Sequence, residues 1–395
     1  MRVVIVGPGR IGCGYLAPAF REAGWEILLA ARNEEGAARI RRAGGFDVRI
    51  TTPADSQSAI EGVLAVAVGT PQFDEAVAEA DLVCTAVGVG NVPALARPLA
   101  RALSRRSGPR PLDVWVAENG DCAGELAQAV RAQARASLPH VGFAGSVVTA
   151  VVARGDWHGQ TRPTFVGDTP RRLYLDARPL RTALPLPAGM EATDLYVARL
   201  REKLFSFNAA HAICAYLGWL RGHLTIDEAV ADPFLKPMVA GCLLESRRAL
   251  VAAHPQLDGD PHAPAVEAMR RFADSELADP ITRVAREPLR KLGPGDRLLG
   301  AVELIRGASG RVPSYFSLAV AAALLYRHPA DEQAMELGGR LSREGFRSVV
   351  EDVCGLEPGD PFAAAVEQHY RTFVFTDDET LFPPVYGTPS LQGAF

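Results

Sequence analysis

The chain of 395 residues reads as an α/β protein, a doubly wound parallel sheet followed by a mostly α-helical C-terminal domain. Three observations predict this. Short β-branched runs alternate with alanine-rich stretches up to about residue 150, and strands buried on both faces with helices between them build a parallel sheet. Gly, Pro, Thr and Arg then dominate residues 154–194, as in a connection between domains. From Asp194 onward the apolar residues recur at helical spacing.

The first element is the run Val3-Val4-Ile5-Val6, stopped by Gly7-Pro8-Gly9. Similar runs place further strands at 27–30, 48–51, 64–68, 82–86, 114–117 and 147–152. Between them, helices are predicted at 11–23, 37–43, 73–79, 92–103 and 121–136. Beyond the connection, amphipathic spacing predicts helices at 197–219, 234–253, 263–272, 316–326 and 331–344. The segment 370–395, rich in Thr, Pro, Gly and Phe, reads as a surface-hugging tail. The domains are therefore 1–193, with the linker, and 194–395.

Composition narrows the function. A 48% hydrophobic, 22% charged chain with net charge −4 offers no global basic field for nucleic acid or an anionic membrane. The run 3–6 is too short for a signal peptide, and no later stretch reaches the roughly 18 apolar residues of a membrane span. Six scattered cysteines show no metal spacing and read as reduced thiols, so a cytoplasmic protein with no metal is expected. Monomer and homodimer both stay open.

After the first strand stands Gly7-Pro8-Gly9-Arg10-Ile11-Gly12, leading into a helix. In this position GxGxxG is a Rossmann-type dinucleotide loop. Gly7 permits the turn, Gly9 lets backbone approach a pyrophosphate, and Gly12 allows close helix–strand packing. Arg10 and Ile11 in the loop, with Ala86, Val87 and Glu118 at later strand ends, are candidate dinucleotide contacts. The second strand ends Ala30-Ala31-Arg32-Asn33, without the acid that usually binds the ribose of NAD. Arg32 suits a 2′-phosphate, so NADP(H) is favoured over NAD(H).

The richest stretch is Lys203-Leu-Phe-Ser-Phe-Asn208-Ala-Ala-His211. On a regular helix Lys203 and His211 lie about 80° apart and Asn208 and His211 about 60°. One side then presents an amine, an amide and an imidazole. Metal-free hydride transfer from an alcohol needs that set: a base for the hydroxyl proton and donors for the oxygen.

This Lys-x4-Asn-x2-His run resembles the signature of the polyol-specific long-chain dehydrogenases, the mannitol dehydrogenase family. Together with Asp81-Leu-Val-Cys-Thr-Ala-Val-Gly88, Ala117-Glu118-Asn119 and Pro288-Leu-Arg-Lys-Leu-Gly-Pro-Gly-Asp-Arg297, it is most similar to the branch acting on mannitol 1-phosphate. The resemblance runs to about Tyr370. It implies that Lys203 is the general acid or base, that Asn119 and Asn208 form an oxyanion hole, and that His211 binds substrate. Arg286, Arg290, Lys291 and Arg297 lie in a motif shared with the phosphate-specific relatives and are candidate substrate contacts, with capping and internal salt bridges the competing account. Two departures bear on specificity. Val148-Thr149-Ala150-Val151 stands where the family commonly has Val-Asp-Arg-Ile, and Ser314-Tyr315 where phosphate-specific relatives tend to have His-Lys. The reaction expected is secondary alcohol to ketone on a polyol, ketose or sugar phosphate. The alternatives are a dehydrogenase of a cyclitol or specialised-metabolite sugar, and a catalytically silent dinucleotide-binding protein.

Overall fold

The computed structural model describes the chain except residues 52–53, 107, 109, 136, 159–161, 258–259, 261 and 376–395. Most of the predicted tail therefore lies outside the described residues. The chain divides into two compact units, Met1–Leu200 and Arg201–Phe395.

The first unit is built on β1 (Arg2–Val6), β2 (Glu26–Ala31), β3 (Gly45–Ile50), β4 (Ser56–Glu61), β5 (Leu64–Ala67), β6 (Leu82–Thr85), β7 (Leu112–Val116), β8 (Val141–Val148), β9 (Val152–Arg154), β10 (Thr164–Gly167), β11 (Leu173–Asp176) and β12 (Met190–Thr193). The large sheet has the order β12-β11-β8-β7-β6-β1-β2-β5. From β8 through β5 all neighbours are parallel, whereas β11 runs antiparallel to β8. Val3, Val4, Ile5 and Val6 are fully buried because β1 is central and covered on both faces. One face packs Phe20, Trp25 and Trp115, the other Phe73, Leu99 and Leu126.

Three sequence expectations change here. The predicted strand 48–51 is not part of the wound sheet; β3 belongs to a second sheet of order β4-β3-β10-β9. The stretch 154–194 is more than a connection, since it supplies β10 to the small sheet and β11 and β12 to the large one. Strands of four residues carry too short an alternation to stand out among Gly and Pro. The predicted helix 92–103 is also divided: a 3₁₀ stretch, Val89–Leu95, holding Pro93 precedes the α-helix Ala96–Leu103.

The second unit is helical. Its buried spine is Asn208–Leu220, on which only Trp219 is not fully enclosed. Leu235–Ala253, Leu299–Ser309 and Ser314–Leu325 contribute to the same core. Two neighbouring helices begin on ordinary capping chemistry: Thr225 and Glu228 form a capping box before Ile226–Ala231, and the Asp331 side chain accepts from the amides of Gln333 and Ala334 at the start of Glu332–Glu344. Several helices fall outside those predicted, among them Leu299–Ser309, Phe346–Cys354 and Pro361–Phe375. All six cysteines are buried and unpaired. Among the described residues no helix is long and apolar enough to cross a membrane.

Candidate active site

In the first unit the glycine loop closes by contacts that only glycine permits. Gly7 has φ +101°, and a Cβ there would stand 2.4 Å from the Ala86 carbonyl oxygen, so β1 can end tightly against the end of β6. A Cβ on Gly12 would lie 2.1 Å from the Gly7 oxygen. Gly9 differs: nothing stands within 4 Å of its virtual Cβ, which leaves an open cradle beside the new helix. Ile11 is partly buried and Arg10 flanks the cradle. The helix opens with a π turn, Gly12–Leu16, in which the Ala17 amide donates to the Gly12 carbonyl.

The loop after β6 is fixed by Glu118. Its carboxylate accepts from the amides of Val87 at 2.9 Å and Gly88 at 2.7 Å. Burial raises this carboxyl above the usual range, and the two amide bonds oppose that rise. Asn119, the next residue, is exposed. At the end of β2, Arg32 is exposed and Asn33 caps the following helix by accepting from Gly36. The acids beyond it are engaged, Glu34 by Arg41 and Glu35 by Arg39.

Sequence reasoning missed Trp157, whose indole N–H donates to the Pro8 carbonyl oxygen at 2.6 Å. Its ring meets Phe46 and Phe165 edge-on at 5.8 and 6.0 Å, so the small sheet holds this indole against the glycine loop. The only signal was a lone tryptophan in an otherwise polar stretch.

In the second unit the predicted helix 197–219 is interrupted. Tyr196–Glu202 leads into a π turn, Lys203–Phe207, before Asn208–Leu220 continues. The Asn208 amide donates to the Lys203 carbonyl, five residues back. On a regular helix Lys203 and Asn208 would sit about 140° apart. A turn closed over five residues puts them nearly one above the other, and His211, three residues on, keeps to that face. The π turn thus sets the three residues on one face of the helix. Phe205, inside it, seats on Gly300, where a Cβ would lie 2.6 Å from its ring.

Asn208 and His211 are buried and Lys203 is half-buried. Desolvation, aided by the cations of Arg297 and Arg271, pushes the Lys203 amine down to about 7. Arg271 is buried, with its guanidinium 4.3 Å from the Phe207 ring centre. Phe272 stacks on the His211 imidazole at 4.9 Å. Nε2 of His211 lies 3.2 Å from Asp279 Oδ2, a carboxylate also held by Arg283. Asp279 was another residue that sequence reasoning missed; the spacing Asp279-x3-Arg283 is the sole trace of it.

The basic motif sits differently. The Lys291 ammonium donates to the carbonyls of Val284, at 2.6 Å, and Arg286, and its burial lowers its pKa well below that of a free lysine. Arg290 pairs with Glu287 and Asp296, and Arg297 with Asp296. Arg297 is buried, with Nη2 lacking a hydrogen-bond partner. Arg286 alone among the four is largely exposed, 3.7 Å from Glu287.

Comparison with known proteins agrees with this architecture. Residues 1–166 match the mannitol dehydrogenase Rossmann domain, and residues 196–372 match the mannitol dehydrogenase C-terminal domain. Among solved structures, the fold is similar to Pseudomonas fluorescens mannitol 2-dehydrogenase in ternary complex with NAD and D-mannitol, at TM-score 0.75 and 20% identity over 94% of this chain and 91% of that one. It is also similar to a substrate-free D-sorbitol dehydrogenase, at TM-score 0.72 and 13% identity over 96% of this chain and 94% of that one.

Proposed function

The chain belongs to the mannitol dehydrogenase family, and we propose that it interconverts a secondary alcohol and a ketone on a polyol or ketose, with Lys203 as general acid or base. The observation that carries this reading is the π turn. Its backbone register supports the reading by setting Lys203, Asn208 and His211 on one helix face, and burial with neighbouring cations brings the lysine amine down to about 7. A proton acceptor works best when its pKa lies near the working pH.

A nicotinamide dinucleotide fits the first unit, because Gly9 leaves a cradle that a Cβ would fill and Gly12 seals the turn behind it. When bound, it supplies the acceptor for the hydride that leaves the carbinol carbon. The chain's own residues handle the rest. Lys203 Nζ, as free amine, takes the hydroxyl proton during oxidation and returns it during reduction. The Asn208 amide donates to the same oxygen as its charge builds. His211 holds the substrate, and Asn119 is proposed as a further amide donor. For the dinucleotide, exposed Arg32 and apolar Ala31 support NADP(H) over NAD(H).

A phosphorylated substrate is the finer reading, favoured by the exposed Arg286 and the unpartnered Nη2 of Arg297. The competing account of the motif is internal support, which the pairing of Arg290 and Lys291 favours. The test is a reduced-nicotinamide absorbance assay with NADH and NADPH against D-fructose, fructose 6-phosphate and a cyclic ketone. Reduction of fructose 6-phosphate well above D-fructose supports a phosphate contact; equal reduction removes it. Reduction of the cyclic ketone alone moves the assignment to a cyclitol enzyme. No reduction of any of them, despite dinucleotide binding, favours a silent binding protein.

A further inference from the structure

We propose that Asp279 is a positioning residue that fixes the tautomer of His211, so that the imidazole meets a substrate hydroxyl as a hydrogen-bond acceptor. The inference rests on the reading that His211 faces the substrate. It also names what kind of group His211 recognises there.

The imidazole is held on three sides. Phe272 stacks on it at 4.9 Å and 17°, Phe207 stands edge-on at 5.7 Å, and Asp279 Oδ2 lies 3.2 Å from Nε2. Asp279 is itself fixed. The guanidinium of Arg283 grips both its oxygens, and its backbone carbonyl accepts from the Ile226 amide at 3.0 Å. Rotating the ring would break the stack and leave a buried carboxylate oxygen short of one donor, which is costly.

The charge states follow from the surroundings. His211 is 8% exposed, and burial holds its imidazole below the ordinary range despite the neighbouring carboxylate. The cations Arg283 and Arg271 push the same way. Burial would raise the Asp279 carboxyl, but Arg283 and His211 outweigh it and keep the group ionised. A neutral imidazole beside a carboxylate puts its one proton on the nitrogen facing that carboxylate. Nε2–H donates to Asp279, and Nδ1 carries the lone pair.

An acceptor nitrogen selects a donor. It binds a hydroxyl and gains nothing from a ketone oxygen or a methylene in its place, because a desolvated acceptor left unpaired is penalised. The substrate class is therefore an alcohol or ketone bearing at least one further hydroxyl within reach of His211. A simple secondary alcohol lacks that group.

The test reads the proton directly. The full chain is labelled with ¹⁵N-histidine, and the His211 resonances are identified by their loss in His211→Gln. At near-neutral pH the parent is expected to show a protonated Nε2 and a bare Nδ1. In Asp279→Asn, whose amide can offer N–H to Nε2, the tautomer should invert. The kcat/KM for D-fructose should then fall by up to roughly tenfold, because the substrate hydroxyl must turn round to accept from Nδ1–H and gives up the geometry in which it donated. Asp279→Glu should keep the parental tautomer and recover part of the activity. A parent protonated at Nδ1 overturns the proposal, even if Asp279→Asn fails to fold. An inverted tautomer with unchanged kcat/KM overturns it as well. A parent that shows the expected tautomer but does not reduce D-fructose counts against the polyol reading and leaves the Asp279 assignment standing.

Discussion

If Lys203 takes the substrate proton, its titration should govern both catalysis and stability. The ordinary lysine value is 10.5 and the folded amine lies at about 7. At pH 7 about half of the folded molecules therefore carry a free amine, against roughly one in 3,000 for a solvated lysine. Initial rates of alcohol oxidation, taken from pH 5.5 to 10 in steps, should give a log(kcat/KM) that rises with unit slope and levels off above about 7. Lys203→Ala should lower kcat by roughly 10²–10⁴ and erase that inflection, because no other group replaces the base. Arg297→Met removes one of the like charges acting on the amine, so the surviving inflection should move to higher pH. Stability gives a reading free of turnover. Between about 7 and 10.5 the unfolded chain holds a proton that the folded chain has released. Stability therefore rises with pH across that window, by at most about 1.4 kcal/mol per pH unit from this one group. Below the window both states are protonated and the folded protein bears the full cost of a desolvated ammonium. Lys203→Met should thus stabilise the protein more at pH 7 than at pH 10 in urea unfolding. A parent inflection above pH 9, or one that survives in Lys203→Ala, would refute the assignment.

Further outcomes can be checked with dinucleotide titration and thermal unfolding. Gly9→Ala should leave Tm within about a degree of the parent while raising the dinucleotide Kd at least about tenfold, since its Cβ meets nothing until the pyrophosphate arrives. Gly12→Ala should lower both stability and binding, because its Cβ would collide with the Gly7 oxygen; similar Tm values for the two variants would contradict the difference. Trp157→Phe keeps the aromatic contacts and loses the bond to Pro8, so about 1 kcal/mol of stability should go, along with some dinucleotide affinity; parental values for both would remove Trp157 from the loop's support. Arg32→Ala should narrow the preference for NADPH over NADH by about 1–3 kcal/mol in kcat/KM, and equal use of both cofactors by the parent would end that reading.

Much of the fold was legible because its signals are local. The apolar runs of β1, β2 and β6 and the periodicity of Leu235–Ala253 depend on neighbours a few residues away. The second sheet was not legible, because β3 and β10 find each other across more than a hundred residues and neither is marked as a partner. The candidate site divides the same way. The motif spacing named Lys203, Asn208 and His211 as candidates, but helical arithmetic assumed a regular turn that the backbone does not make. Asp279 and Trp157 act through tertiary contacts, a carboxylate on an imidazole and an indole on a carbonyl, and sequence spacing carries almost no trace of either.

The π turn at Lys203–Phe207 amounts to one surplus residue stored in a helix. A surplus of that kind is free in principle to migrate, since shifting it by one position trades one backbone hydrogen bond for another. Moving it out of the span between Lys203 and Asn208 would rotate the two against each other by roughly a quarter of a turn or more. What pins it here is Phe205 lying flush on Gly300, a residue that touches no chemistry. A side chain at position 300 would evict the ring and let the surplus slide into the neighbouring turns. The register of the amine would then be governed from nearly a hundred residues away, by the absence of a single methyl group.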